Sequence, residues 1–413
     1  MNHKIAIISC ILAVTIFGCA STSGSGNGSG TTAAQAGTAG NNGGSAGDQA
    51  QAAASGADED KKGPAIADSC RSGIVDFIRK TNGNVQVLTQ DGQLYQIDMA
   101  GAVKAGTKLN DDANNYILLP TADVIMHFKP DAVMIVSTEN GTEFFKLAGD
   151  PSKKKAYFNN DATELALVTP KGIYNVWNTE KGFGGIKMNE RVQEFINRQS
   201  PDHQLGFPGD VTALSIGKNN HLVVALNETD TGKIGRLFHY EPSVEHVETT
   251  SGSSNSVRAT RTSSKTGTLK NLARTNTPVV DVAISPSSKF VAAVDEAGQF
   301  YFTDTINPGF VVFSKMFQEV KAVMFDDETP ILVRKSSVCA VDPNSGLVRY
   351  EIPQSYDRCL VAAGMLYCAT SGYFDVRTAS DGKLQKRYVF NGDKYGVISG
   401  SMVTGSLPPA CIQ

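Results

Sequence analysis

Cysteine and histidine are the residues most able to do chemistry in this chain, and their spacing narrows what that chemistry is. Of seven cysteines, Cys10 lies inside an apolar run at residues 5–17 and Cys19 stands just past its end. The other five, Cys70, Cys339, Cys359, Cys368 and Cys411, are far apart, with no Cys-x-x-Cys and no neighbouring histidine pair. No zinc-ligand spacing is therefore present. His127, His203, His221, His239 and His246 form no metal pair in sequence, and outside the Ser/Gly/Ala-rich stretch at 19–66 the chain has neither a Gly-x-Ser-x-Gly elbow nor a phosphate loop. Aspartate and glutamate fall mostly at turns, where they bond their own backbone. The expectation is a protein without cofactor, metal or catalytic residues.

Cys19 is the exception. Residues 1–4 are cationic, and the apolar run is too short for a transmembrane helix, which needs roughly 20 residues. Such a segment reads as a secretory signal. Its end, Ile16-Phe17-Gly18-Cys19, resembles the lipobox of bacterial lipoproteins. That resemblance implies a cut before Cys19, a lipid-bearing Cys19, and, with Ala20 next, an outer-membrane address on an unspecified face. An ordinary cleaved signal with a chance cysteine is the alternative. Residues 1–18 are thus the signal and 19–66 a lipidated tether of Ser, Gly, Ala and Thr. The tether is too polar to offset its chain entropy and would average roughly 35 to 40 Å end to end as a coil.

The elements that follow, over residues 67–413, are short β-rich runs separated by turns, with little helical periodicity. VMIVSTENGTEFFKL, FVAAVDEAGQFYFTD and MLYCATSGYFDVRT share one shape: an apolar strand, a tight turn, then an alternating strand. A second turn glycine recurs at Gly101, Gly149, Gly182, Gly232, Gly309, Gly346 and Gly382. Seven such units over the roughly 343 residues from Arg71 to Gln413 give about 49 per unit, the size of a four-stranded propeller blade. One such sheet cannot bury both faces alone, and stacking sheets around an axis covers them. The fold expected is all-β, a β-propeller of seven four-stranded blades, with eight as the alternative. The segment from Ala340 to Tyr350, AVDPNSGLVRY, resembles the PQQ-type propeller repeat, and Val282-Ala283-Ile284-Ser285-Pro286 resembles a WD40-type blade. A lipoprotein carrying such repeats resembles the BamB-type scaffolds of outer-membrane protein assembly. The resemblance implies a protein–protein interaction scaffold in an envelope complex rather than an enzyme.

Ring closure brings the ends of a propeller together, usually by sharing strands. Cys70 precedes the first strand and Cys411 follows the last, so these two are expected to bridge. Cys359 and Cys368 flank LVAAGMLY. If Ala363-Gly364 is a two-residue turn, they face each other at a non-hydrogen-bonded pair and bridge as well. A three-residue turn would break that register. Cys339 is then the buried spare, and several free buried thiols is the alternative. Export favours the bridges.

Two insertions stand out. Near 187–210, Met188, Val192, Phe195 and Ile196 share a helical face, which either docks a partner or covers its own blade. Near 248–277, Arg258, Arg261, Lys265, Lys270 and Arg274 read as a mobile basic loop. It is either simply solvated or meets an acidic partner, lipid A phosphates or peptidoglycan carboxylates. The formal net charge of −3 argues against nucleic acid as a partner. The partners expected are envelope proteins, with the membrane reached through the lipid anchor. The rival function is a lactonase-like enzyme or small-ligand binder using the central channel.

Overall fold

A computed structural model describes residues 63–413 apart from 121–122, 148–155, 159–163, 169–172, 179–202, 207–209, 219–220, 228–234, 242–267 and 308–310. The described residues are all-β, broken only by short 3-10 turns such as Asp68–Cys70, Ala113–Asn115 and Pro409–Cys411. Among them, antiparallel strands group into six four-stranded sheets and a last one of six.

The first sheet is β1 (Ile74–Arg79), β2 (Val85–Thr89), β3 (Gln93–Ile97) and β4 (Val103–Lys108). The second is β5 (Tyr116–Leu118), β6 (Val124–Lys129), β7 (Ala132–Ser137) and β8 (Glu143–Leu147). The third is β9 (Ala156–Phe158), β10 (Glu164–Val168), β11 (Ile173–Asn178) and β12 (His203–Gly206). The fourth is β13 (Asp210–Ile216), β14 (Leu222–Asn227), β15 (Gly235–Glu241) and β16 (Thr268–Arg274). The fifth is β17 (Val279–Ile284), β18 (Phe290–Asp295), β19 (Gln299–Asp304) and β20 (Val311–Met316). The sixth is β21 (Val320–Asp326), β22 (Thr329–Arg334), β23 (Val338–Val341) and β24 (Val348–Ile352). The last is β25 (Arg358–Ala362), β26 (Met365–Ala369), β27 (Phe374–Thr378), β28 (Leu384–Asn391), β29 (Lys394–Ser399) and β30 (Met402–Gly405).

Residue type sets each strand's depth. β14, β18 and β22 centre on unbroken apolar runs and are buried along most of their length. A strand covered on both faces has no solvated side to alternate with. β4, by contrast, is VKAGTK, and its residues alternate between half-buried and exposed, as an outer strand should. Turns follow their residue chemistry. At Asp342-Pro343-Asn344-Ser345-Gly346, the Asp342 Oδ1 accepts from the Asn344 and Ser345 N–H groups and the Ser345 hydroxyl. Gly346 then takes φ +68°, which glycine adopts without penalty.

Among the described residues, neighbouring sheets share cores at five junctions. One cluster joins the first sheet to the second through Leu88, Leu118 and Ile125, and another joins the fourth to the fifth through Val223, Val282 and Val291. Phe302, Phe325 and Leu332 join the fifth to the sixth, and Ile331, Ile352 and Leu366 join the sixth to the last. Polar stitches run between the first strands of successive sheets. The Asp76 Oδ2 accepts from the Leu118 N–H at 3.0 Å, the Ser215 Oγ from Ile284 at 3.2 Å, and the Asp281 Oδ2 from Val323 at 3.0 Å. The order then closes on itself. Phe77, Val87 and Tyr95 of the first sheet pack with Phe374, Tyr388 and Phe390 of the last. Arg358 of β25 pairs with Asp76 of β1 and lies over the Phe77 ring. This cyclic packing is propeller-like.

Closure differs from the expectation in one respect. The chain ends share no strand: the first sheet is wholly N-terminal and the last wholly C-terminal. Instead Ile66 and Ile412 form an isolated antiparallel bridge, flanked by Ala67 N–H to Cys411 O and Gln413 N–H to Ala65 O. Ile66, assigned to the tether from composition, is therefore part of the packed structure, buried against Val389, Ile398 and Leu407. Two further assignments change. His203–Gly206, within the first insertion, is strand β12, and Thr268–Arg274, within the second, is strand β16. The second is a strand because Leu272 reaches the core and the whole segment registers against β15.

Candidate functional site

The disulfides fall where the sequence places them. Cys70 bonds to Cys411 with Cα atoms 5.7 Å apart, and Cys359 to Cys368 with Cα atoms 4.2 Å apart. The second sits in the Cys359↔Cys368 register, set by a two-residue turn at Ala363-Gly364 with φ of +52° and +72°. Two positive φ values are what this hairpin turn requires. Cys339 is free and buried in β23, and burial pushes its thiol up to about 12, so it stays protonated.

The other candidates fare unevenly. Cys19, Met188, Val192, Phe195, Ile196, Arg258, Arg261 and Lys265 lie outside the described residues. Lys270 and Arg274 lie on β16 rather than in a loop, and the Lys270 Nζ donates to the Glu241 Oε2 at 2.8 Å.

Three ionic clusters emerge that sequence reading did not single out. The first is buried in the last sheet. Asp375 accepts from both Arg387 nitrogens, Nε at 2.7 Å and Nη2 at 2.8 Å, and from the Tyr356 hydroxyl at 2.6 Å. Arg377 donates to the Tyr356 oxygen at 2.8 Å and to the Gly382 carbonyl at 2.9 Å. Every partner is engaged in holding β27 and β28 to the segment before β25, which is a structural role. In the second, His127 sits between Asp111 and Glu143, its ring nitrogens 2.8 and 2.9 Å from their oxygens, and stacks on Tyr116. The Asp112 N–H and His127 hold the Asp111 carboxyl below its ordinary range.

The third cluster lines a cavity of about 340 Å³ at the end of the fourth and fifth sheets. Lys218 and His221 come from the β13–β14 turn, His239 and Glu241 from the end of β15, and Lys270 from the start of β16. Ser287, Ser288 and Lys289, from the β17–β18 turn, face them. Backbone and side chain lock the two turns together. The Ser288 Oγ accepts from the Lys218 N–H at 2.8 Å, and the Thr305 hydroxyl donates to the Ser288 carbonyl at 2.8 Å. Gly217 allows this approach, since a Cβ there would strike Ser288 and Ile284.

The electrostatics of this cavity are lopsided. Among the described residues Glu241 is the only carboxylate in its lining, and Lys270 occupies it, holding it below its ordinary range. The His221 Nδ1 and His239 Nε2 are 2.9 Å apart. Burial first, then the neighbouring imidazole, pushes His239 down to about 4, and burial also lowers His221. Both rings are therefore neutral at pH 7, leaving Lys218 and Lys289 without a carboxylate partner among the described residues of the lining. A cavity with this lining attracts anions. A larger cavity of about 510 Å³ lies beside Lys80, Asp123 and Glu139. Burial lowers the Lys80 ammonium to about 8, and Asp123 opposes the shift.

No family model matches the chain, and no curated protein matches it. Among solved structures it is similar to the computationally designed Ika8 protein, at 14% identity with a TM-score of 0.49, over 83% of this chain and 99% of that one.

Proposed function

We propose that this chain is an exported, lipid-anchored β-propeller of seven blades that acts as a non-catalytic platform for other proteins of a bacterial envelope. The observation that carries the reading is the packing of the first sheet on the last, covalently clasped by Cys70–Cys411. A closed ring of sheets is a rigid body with many exposed turns and outer strands. Such a body presents surfaces to partners. Two disulfides fit an oxidising compartment outside the cytoplasm. The signal-like start and the cysteine at its end fit anchoring there, since stable attachment needs more than one acyl chain. The seven sheets of the described residues favour seven blades over eight. Support of outer-membrane protein assembly is the functional analogy drawn from the sequence resemblance, and it rests on analogy.

The test has two arms. Full-length chain expressed in a bacterium with a clickable palmitate analogue should incorporate label at Cys19, and Cys19→Ser should lose it. Crosslinking in native envelopes should then recover a reproducible set of proteins with the wild type. Cys19→Ser, released from the membrane, should recover that set poorly. Unlabelled wild type, or no reproducible partner, would refute the proposal.

A further inference from the structure

We propose that the cavity between the β13–β14 and β17–β18 turns binds a phosphate group, carried either by a soluble phosphate ester or by a lipid headgroup. The argument begins with charge. Three ammonium groups, Lys218, Lys270 and Lys289, face one cavity, and Glu241 neutralises one of them. Two positive charges remain, and these match a phosphate monoester dianion rather than a carboxylate monoanion. Lysine serves such groups as a mobile point charge.

Hydrogen-bond accounting points the same way. His239 is 2% exposed and lines the cavity, yet its Nδ1 has no hydrogen-bond partner. A buried polar atom left unpaired is costly and calls for an explanation. With both imidazoles neutral, one proton lies between His221 Nδ1 and His239 Nε2. If His221 donates, His239 must carry its own proton on Nδ1, which is the unpaired atom. Nδ1 is itself closed to solvent, so a small shift of the ring toward the cavity is what lets an oxyanion there supply the missing acceptor and select that tautomer.

The site is also preformed. Ser288 holds φ +62°, a strained value for a residue with a side chain, and Lys218 and Thr305 fix it there through hydrogen bonds. The cavity volume, about 340 Å³, is at the lower end for small-molecule sites. It suits one phosphate with a short substituent. The site is independent of the scaffold reading, since it needs neither lipidation nor a protein partner.

The experiment uses the exported chain with Cys19→Ser, so that an acyl anchor contributes nothing. Isothermal titration calorimetry with glycerol 3-phosphate and inorganic phosphate, and with acetate as control, covers soluble ligands. Cosedimentation with phosphatidic acid against phosphatidylglycerol vesicles, a lipid monoester against a diester, covers headgroups. The expected result is saturable binding of a phosphate ligand that weakens with salt and is at least tenfold tighter than acetate. Lys218→Met and Lys289→Met, both on exposed turns, should each weaken it about tenfold, and the double variant about 100-fold, with unchanged thermal melts. Binding of glycerol 3-phosphate identifies a soluble ester, and binding of phosphatidic acid vesicles alone identifies a headgroup; both support the proposal. Three outcomes overturn it: no saturable binding in either arm, undiminished binding by the double variant, or acetate as tight as phosphate.

Discussion

Breaking the Cys70–Cys411 bond by Cys70→Ala with Cys411→Ala should be the most destabilising change to any cross-link in the molecule. The bond closes a loop of sequence separation 341, and Cys359–Cys368 closes one of separation 9. In the chain-entropy model the first restricts the unfolded chain by about 6 kcal/mol and the second by about 3 kcal/mol. Both are upper figures, but the difference between them is set by loop length alone. Cys411 and Cys368 are both buried, so alanine leaves a comparable void in each variant. Equilibrium urea denaturation, followed by far-UV circular dichroism, measures both under one protocol. The clasp variant should lose roughly 2 to 3 kcal/mol more than Cys359→Ala with Cys368→Ala. Total stabilities are only about 5 to 15 kcal/mol, so the shift in midpoint will be large. If the clasp variant loses no more than the local one, loop closure is not what holds the ends together. The Ile66–Ile412 bridge and the Phe77–Phe374 packing would then suffice without the bond.

Asp375→Asn should cost about 3 to 5 kcal/mol in thermal or urea unfolding, because Arg377 and Arg387 would keep their burial and lose their anion; a loss below about 1 kcal/mol would contradict the network described. Ala363→Gly should stabilise the β25–β26 hairpin by about 0.5 to 1 kcal/mol, since φ +52° strains a residue with a Cβ; a lower melting temperature would contradict the turn assignment. His239 adds a pH dependence. Its folded pKa of about 4 lies below the ordinary 6.5, so the unfolded chain binds the proton first. That contribution to stability is complete above about pH 6.5 and is lost progressively down to about pH 4. It amounts to about 3 kcal/mol at most. His239→Gln should flatten the stability profile across this range in urea titrations at fixed pH values, and an unchanged slope would show the ring to be exposed.

What the sequence made legible was whatever local rules determine. The Cys359–Cys368 register followed from a two-residue turn and a period of two, with nothing else required. The central strands were legible because FVAAVD and its counterparts are unbroken apolar runs. Outer strands were harder. β16 reads TLKNLAR, with few apolar residues and two cations, and half-solvated edges carry a weak pattern. By sequence alone it reads as loop for that reason. The His221–His239 pair escaped because it depends on the β14–β15 register, which spans a connection of undefined length in sequence. Once Val223 pairs with His239, the diagonal neighbour of His239 across the hairpin is His221. Asp375, Arg377 and Arg387 gave no sequence signal: a buried ion network looks like ordinary surface charge until the fold covers it.

The clasp has a mechanical consequence. Any pull arriving through the residues before Ile66 reaches Cys70 and passes at once, through a covalent bond, to Cys411 and the opposite end of the chain. Load is thus split between the two terminal sheets and does not peel β1 away strand by strand. A body pulled by its N-terminal end would resist tugging as a whole, like a ring lifted by its buckle.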